Sequence, residues 1–194
     1  MISYFLMRIF EREDEEISLD LTGDMAVLSA LCEVFMFEAG IGFLQNNWMP
    51  LRIMAAFLGA VYFNVTGWID LMTGYVYSII NQFFLILFLI LLFFKNQSLQ
   101  FVMISFLLFV LMIRICEKAG AFSRGDSEFL NVSYLFFALK SKEKAWEGML
   151  LVMLFSAVLF ACYGKLSGRK EGMIPYTPFL IISQWIMMMI LHFE

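Results

Sequence analysis

The chain has 194 residues, of which 62% are hydrophobic and only 15% charged, with a mean hydropathy of +0.83. A soluble domain is about half apolar and a quarter charged, so a soluble globular protein is excluded. The net charge of -4, with much of the acid gathered at residues 11–16, offers no basic face for nucleic acid, and no nucleic-acid partner is expected. The composition predicts an all-α fold, a polytopic membrane helix bundle of six or seven transmembrane helices.

In chain order, residues 1–24 read as an acidic cytoplasmic or interfacial segment, and residues 25–194 as the transmembrane domain. The apolar start precedes acids rather than following a basic region, so it is not expected to be a signal peptide. Residues 25–44 form the first candidate span, crossed by Glu33 and Glu38, either of which could line a polar interior or face the interface. Residues 53–69 form a clearer one and end at Asp70. Residues 75–94 are an almost unbroken apolar run of the length a bilayer demands, about 20 residues. A four-residue polar turn follows, and residues 99–115 cross back. Residues 129–139 are the shortest run, able to span only with their flanks. Residues 140–144 read as a basic turn and 149–163 as a span. The last span, residues 175–193, opens with a proline where a helix tolerates one.

This order places two acids on one side of the membrane. From Asp70 the chain crosses, turns, crosses again and reaches Asp126. An acid at the edge of an apolar segment is expensive and marks a functional site by default. Two carboxylates in one site cannot both ionise, which suits general acid–base hydrolysis. Asp126 also stands where an N-cap would, so the residues alone leave a structural role open. Gly120 and Gly125 flank the preceding loop, either as turn glycines or to let backbone approach closely. Lys and Arg near the loops number eight on the aspartate side (Arg8, Arg12, Arg114, Lys118, Arg124, Lys165, Arg169, Lys170) against five opposite (Arg52, Lys95, Lys140, Lys142, Lys144). The excess predicts that the aspartates face the cytoplasm. Cys32, Cys116 and Cys162 have no paired spacing and read as small buried hydrophobes, so neither disulfide nor metal is expected. His192, the single histidine, lies too near the C-terminus to serve a triad and reads as an interfacial side chain.

Three segments resemble the type IV prepilin and preflagellin leader peptidases, a family of GxGD-type aspartic membrane proteases. Ile69-Asp70-Leu71-Met72-Thr73-Gly74-Tyr75-Val76 is similar to the first catalytic segment. Arg124-Gly125-Asp126-Ser127-Glu128 is similar to the Gly-x-Gly-Asp segment, and Ile174-Pro175-Tyr176-Thr177-Pro178 to the proline-rich start of the last helix. The likeness covers roughly residues 50–190. It implies Asp70 and Asp126 as the catalytic pair, with Gly125, Glu128, Pro175 and Pro178 in substrate binding or loop support. It implies no cofactor and no metal. The implied partners are membrane lipid and a prepilin-like substrate with a basic leader and an apolar helix, cut at the cytoplasmic face of the inner membrane. Glu117, Glu128 and Glu171 are the acids placed to attract that leader.

The chain departs from the family at several points. Ser123 stands at the first glycine of Gly-x-Gly-Asp, Glu128 at a usual lysine, and Tyr77-Ser78 at a usual Pro-Asn. The large cysteine-bearing insert of the methylating members is absent, which makes this a minimal form. Two other readings stand beside the peptidase: a degenerate member that keeps the fold alone, and a non-enzymatic scaffold or small transporter. A transporter would show an internal helix repeat, and none is legible here.

Overall fold

The computed structural model describes residues 2–13, 23–45, 47–74, 76–95, 99–167 and 175–192. Among these residues it forms a bundle of eight helices: α1 (Ile2–Glu13), α2 (Gly23–Phe43), α3 (Met49–Thr73), α4 (Ser78–Phe94), α5 (Leu99–Lys118), α6 (Arg124–Ala138), α7 (Lys142–Ser167) and α8 (Thr177–His192). Among the described residues there is no strand. Four helices, α2, α3, α5 and α7, are long and apolar enough to cross a membrane, and α4 and α8 are apolar but shorter. Lipid offers the backbone no hydrogen-bond partners, so helices that satisfy themselves are the expected architecture.

Burial sorts these helices into an interior and a shell. Two-thirds of the most apolar window of α3 (67%) is buried, against 22% for α2 and α5 and 28% for α7. The outward side of α5 carries Phe101, Ile104, Leu108, Leu111 and Ile115, and that of α4 carries Ile79, Phe83, Ile86 and Ile90, all exposed. Their three- and four-residue spacing makes continuous apolar stripes, which water would penalise and acyl chains accept.

The central element is α6. From Asp126 to Ala138 every side chain but Glu128 is buried, against α4, α5 and α7 among others. Its 15 residues reach about 22 Å at 1.5 Å each, short of a hydrocarbon core of about 30 Å. Enclosed by protein, it has no need to match the bilayer. This explains the shortest apolar run, whose helix borrows residues 124–128 from the polar flank. Aromatic rings fill the space around it: Phe136 meets Phe63 at 5.4 Å and Phe88 at 5.7 Å.

Three expectations are corrected. The helix α7 begins at Lys142, so the basic turn is residues 139–141; Lys, Glu and Lys are good helix formers and join the helix. The helix α3 runs on to Thr73, three residues past Asp70, which lies in its last turn. The cysteines are free but not buried: Cys32 and Cys116 are half-buried and Cys162 is exposed on α7, where a weakly polar thiol can face lipid. The helix α1 packs on α2 and α3 through Ser3 and Met7, and the buried Glu33 accepts the Ser3 N–H at 3.4 Å, while Glu38 is exposed. The side chain of His192, the acidic residues 14–22 and Glu171 lie outside the described residues.

Ties at one end of the bundle close the helix termini. Lys95 donates to the carbonyls of Leu139 and Lys140, Asn47 to Leu139 at 2.8 Å, and Lys140 to Leu191. These are carbonyls that a helix C-terminus leaves unpaired. The two aspartates are at the other end.

Candidate active site

Three chain segments meet at this end, and each is shaped by local capping. Helix α3 stops at Gly74, whose left-handed conformation lets its N–H bond the Asp70 carbonyl at 2.7 Å. Helix α5 stops at Gly120, at φ +78°, with the Gly120 N–H on Glu117 and the Ala121 N–H on Cys116, both at 2.9 Å. That crossed pair is a Schellman ending, so Gly120 serves as a helix terminator.

Helix α6 then starts with a capping box. The Ser123 hydroxyl accepts the Asp126 N–H at 3.2 Å, and Asp126 Oδ2 accepts the Ser123 N–H at 3.1 Å and its hydroxyl at 2.7 Å. The expected N-cap is therefore corrected by three positions: Ser123 is the cap and Asp126 is N3. Ser123 thus has a structural task, orienting the acid.

The connection comes from α8. Thr177 donates its N–H to Asp70 Oδ2 at 3.1 Å and its hydroxyl to Asp126 Oδ1 at 3.2 Å. Thr177 opens α8 after Tyr176, whose carbonyl accepts the Leu180 N–H, so its own N–H is one of the free donors of a helix start. A carboxylate there gains a donor and the positive end of the helix dipole. Asp70 and Asp126 are 4% and 7% exposed, so burial makes such donors necessary.

Close packing permits the meeting. A Cβ on Gly67 would come within 2.6 Å of Ile181 Cδ1, the movable end of that side chain, so α3 lies against α8 one turn before Asp70. A Cβ on Gly125 would come within 2.9 Å of Val76 Cβ, so the start of α6 seats directly on the α3–α4 connection. Gly125→Ala is expected to destabilise the protein by about 1–3 kcal/mol, because Val76 must retreat with its backbone. Adding Val76→Gly should return most of the loss in a thermal-unfolding measurement in detergent. An unchanged midpoint for Gly125→Ala alone would show that the contact yields freely.

A cleft of about 580 Å³ opens beside Asp126, between the α5–α6 turn, α7 and Tyr176, with Phe122, Met153 and Phe160 in its walls. Tyr176 is pinned there by a 2.7 Å hydrogen bond with Ser156. Asp70 does not line the cleft; its Oδ2 is held by the Thr177 N–H. A second, apolar hollow of about 200 Å³ lies between α2, α3 and α8 and includes Gly67 and Pro178.

The expected site residues fall into two groups. Asp70 and Asp126 converge on Thr177, with Gly125 supporting the approach and Pro175 and Pro178 flanking the threonine. Glu128 does not reach the cleft; it pairs with Arg124 at 3.2 Å. Glu117 likewise pairs with Arg114 at 2.6 Å, so two of the acids expected to draw a basic leader already face an arginine within the protein. Sequence reasoning missed Thr177 and Tyr176. The available signal was a hydroxyl between two prolines at a helix start. Among the described residues, no three His, Cys, Asp or Glu side chains are grouped to hold a metal.

No family model, no curated protein and no solved structure matches the chain.

Proposed function

We propose that the chain is a membrane-embedded aspartic endopeptidase that removes the leader of type IV prepilin-like proteins. The observation that carries this reading is that one residue, Thr177, hydrogen-bonds both Asp70 and Asp126. Two carboxyls held by a single threonine are near enough to divide the work: one keeps its proton while the other takes a proton from water attacking the peptide carbonyl. The protonated partner then gives its proton to the leaving amine as the C–N bond breaks. No cofactor is needed for that chemistry. The resemblance of three ordered segments to the leader peptidases supports the same assignment.

The substrate's peptide enters by the cleft at Asp126. The Lys and Arg excess supports an inner-membrane protein with the pair facing the cytoplasm. A basic leader rests on the resemblance alone, since Glu117 and Glu128 have partners of their own. The bond must leave a helix to reach water, and glycine, about 1 kcal/mol worse than alanine in a helix, lowers that cost. In liposomes with a prepilin-like reporter, the purified protein should release a product cut after the glycine that precedes the apolar stretch. Replacing that glycine by valine should block release, and alanine should slow it; a chelator should change neither. Absence of any product would overturn the peptidase, and equal cleavage of the valine reporter would overturn this account of specificity.

A further inference from the structure

Away from the aspartates, the bundle interior holds polar atoms that nothing among the described residues satisfies. Three of them belong to residues that act on one phenol. Tyr62 is fully buried and donates to Asn81 Oδ1 at 2.7 Å, which leaves Asn81 Nδ2 without an acceptor. The Thr66 hydroxyl lies beside the same phenol without a sound hydrogen bond of its own. Glu128 acts on Tyr62 electrostatically from α6; its Oε1 takes Arg124, and its Oε2 is buried with no partner. Asn81 and Thr66 are 1% and 2% exposed. Phe84 at 4.9 Å and Phe129 at 5.6 Å close α4 and α6 on the phenol.

Buried polar atoms are as a rule paired, by protein or by ordered water. The chemistry of this set selects the ligand. It presents an amide donor, a carboxylate acceptor and a hydroxyl that does either. The amide N–H repels a cation and Glu128 repels an anion. Water serves all three, and a buried water typically makes about three hydrogen bonds. We propose that Tyr62, Thr66, Asn81 and Glu128 enclose an ordered-water site between α3, α4 and α6. Tyr62, Thr66 and Asp70 recur at four-residue spacing on one face of α3, so the site begins a polar stripe that ends at Asp70. Water held there is one helical turn from the candidate pair. It lies apart from the cleft, and it exists whether or not the pair cleaves peptides.

X-ray radiolytic footprinting of the full chain in nanodiscs tests this, because hydroxyl radicals form wherever water is bound, including the interior. Tyr62 and Phe63 are equally buried neighbours, at 0% and 1% exposure. Tyr62 should be oxidised several-fold faster than Phe63, and Thr66→Val or Asn81→Leu should bring it down to the Phe63 rate. Equal rates in the unaltered protein would show a dry cluster and overturn the proposal, as would Tyr62 labelling that both substitutions leave unchanged. A substitution that loosens the bundle raises Phe63 as well, and the unaltered protein's ratio then decides by itself.

Discussion

Asp70→Asn and Asp126→Asn are each expected to lower leader processing by about 10²–10⁴-fold, the range of a lost general acid–base group, while the protein stays inserted and folded. The hydrogen bonds explain why the fold should survive. The Asp70 carboxylate receives the Thr177 N–H on one oxygen, and an asparagine carbonyl takes that place unchanged. At Asp126 an asparagine carbonyl still accepts from Ser123, while its NH₂ faces the Thr177 hydroxyl, which can turn and accept. Alanine is a different test. It strips the partner from buried donors, which costs about 1–3 kcal/mol for each group left unpaired. Processing of a prepilin-like reporter, measured beside thermal unfolding, separates two roles. A catalytic pair loses activity with asparagine and keeps its stability. A purely structural tie between helices keeps its function with asparagine and loses stability with alanine. The Ser123–Asp126 capping box is the observation that favours the structural role. Full processing by either asparagine variant would remove that residue from the chemistry.

Thr177 carries the second large effect. Thr177→Val keeps the N–H on Asp70 and deletes the hydroxyl on Asp126. A hydrogen bond to a charged group contributes about 1.5–3 kcal/mol, so kcat should fall about 10- to 100-fold with KM little changed. Thr177→Ser restores the hydroxyl and should restore the rate. Thr177→Pro goes further by removing the N–H. Proline is well tolerated at the first position of a helix, so α8 should still form, and the bond to Asp70 is the main additional loss. A drop from valine to proline therefore measures the Asp70 contact. Valine at full activity would make the threonine a packing residue and leave the two acids unconnected.

Much of the architecture was legible in the residues. Composition excluded a soluble protein, and the long apolar runs located α2, α3, α4, α5, α7 and α8, because the length of a spanning helix follows from bilayer thickness. Two runs between Asp70 and Asp126 were enough to put both acids at one end, since each crossing reverses the side. The proline-rich segment marked where α8 begins to within two residues.

What the residues alone did not decide depends on contacts between distant parts of the chain. Nothing local distinguishes α6, the enclosed helix, from a short span in lipid; its burial is set by neighbours that periodicity does not reveal. Serine at 123 read as a missing glycine and became the cap that holds Asp126, because the helix is capped three residues before the acid. Glu117 and Glu128 read as free charge, yet each has an arginine within reach once the helix is formed. The bond from Thr177 to Asp70 spans 107 positions and that to Asp126 spans 51. Hydrophobic pattern sets which faces are buried, but only the packing of α3 on α8, and of the start of α6 at Gly125 on Val76, brings one threonine within 3.2 Å of both acids.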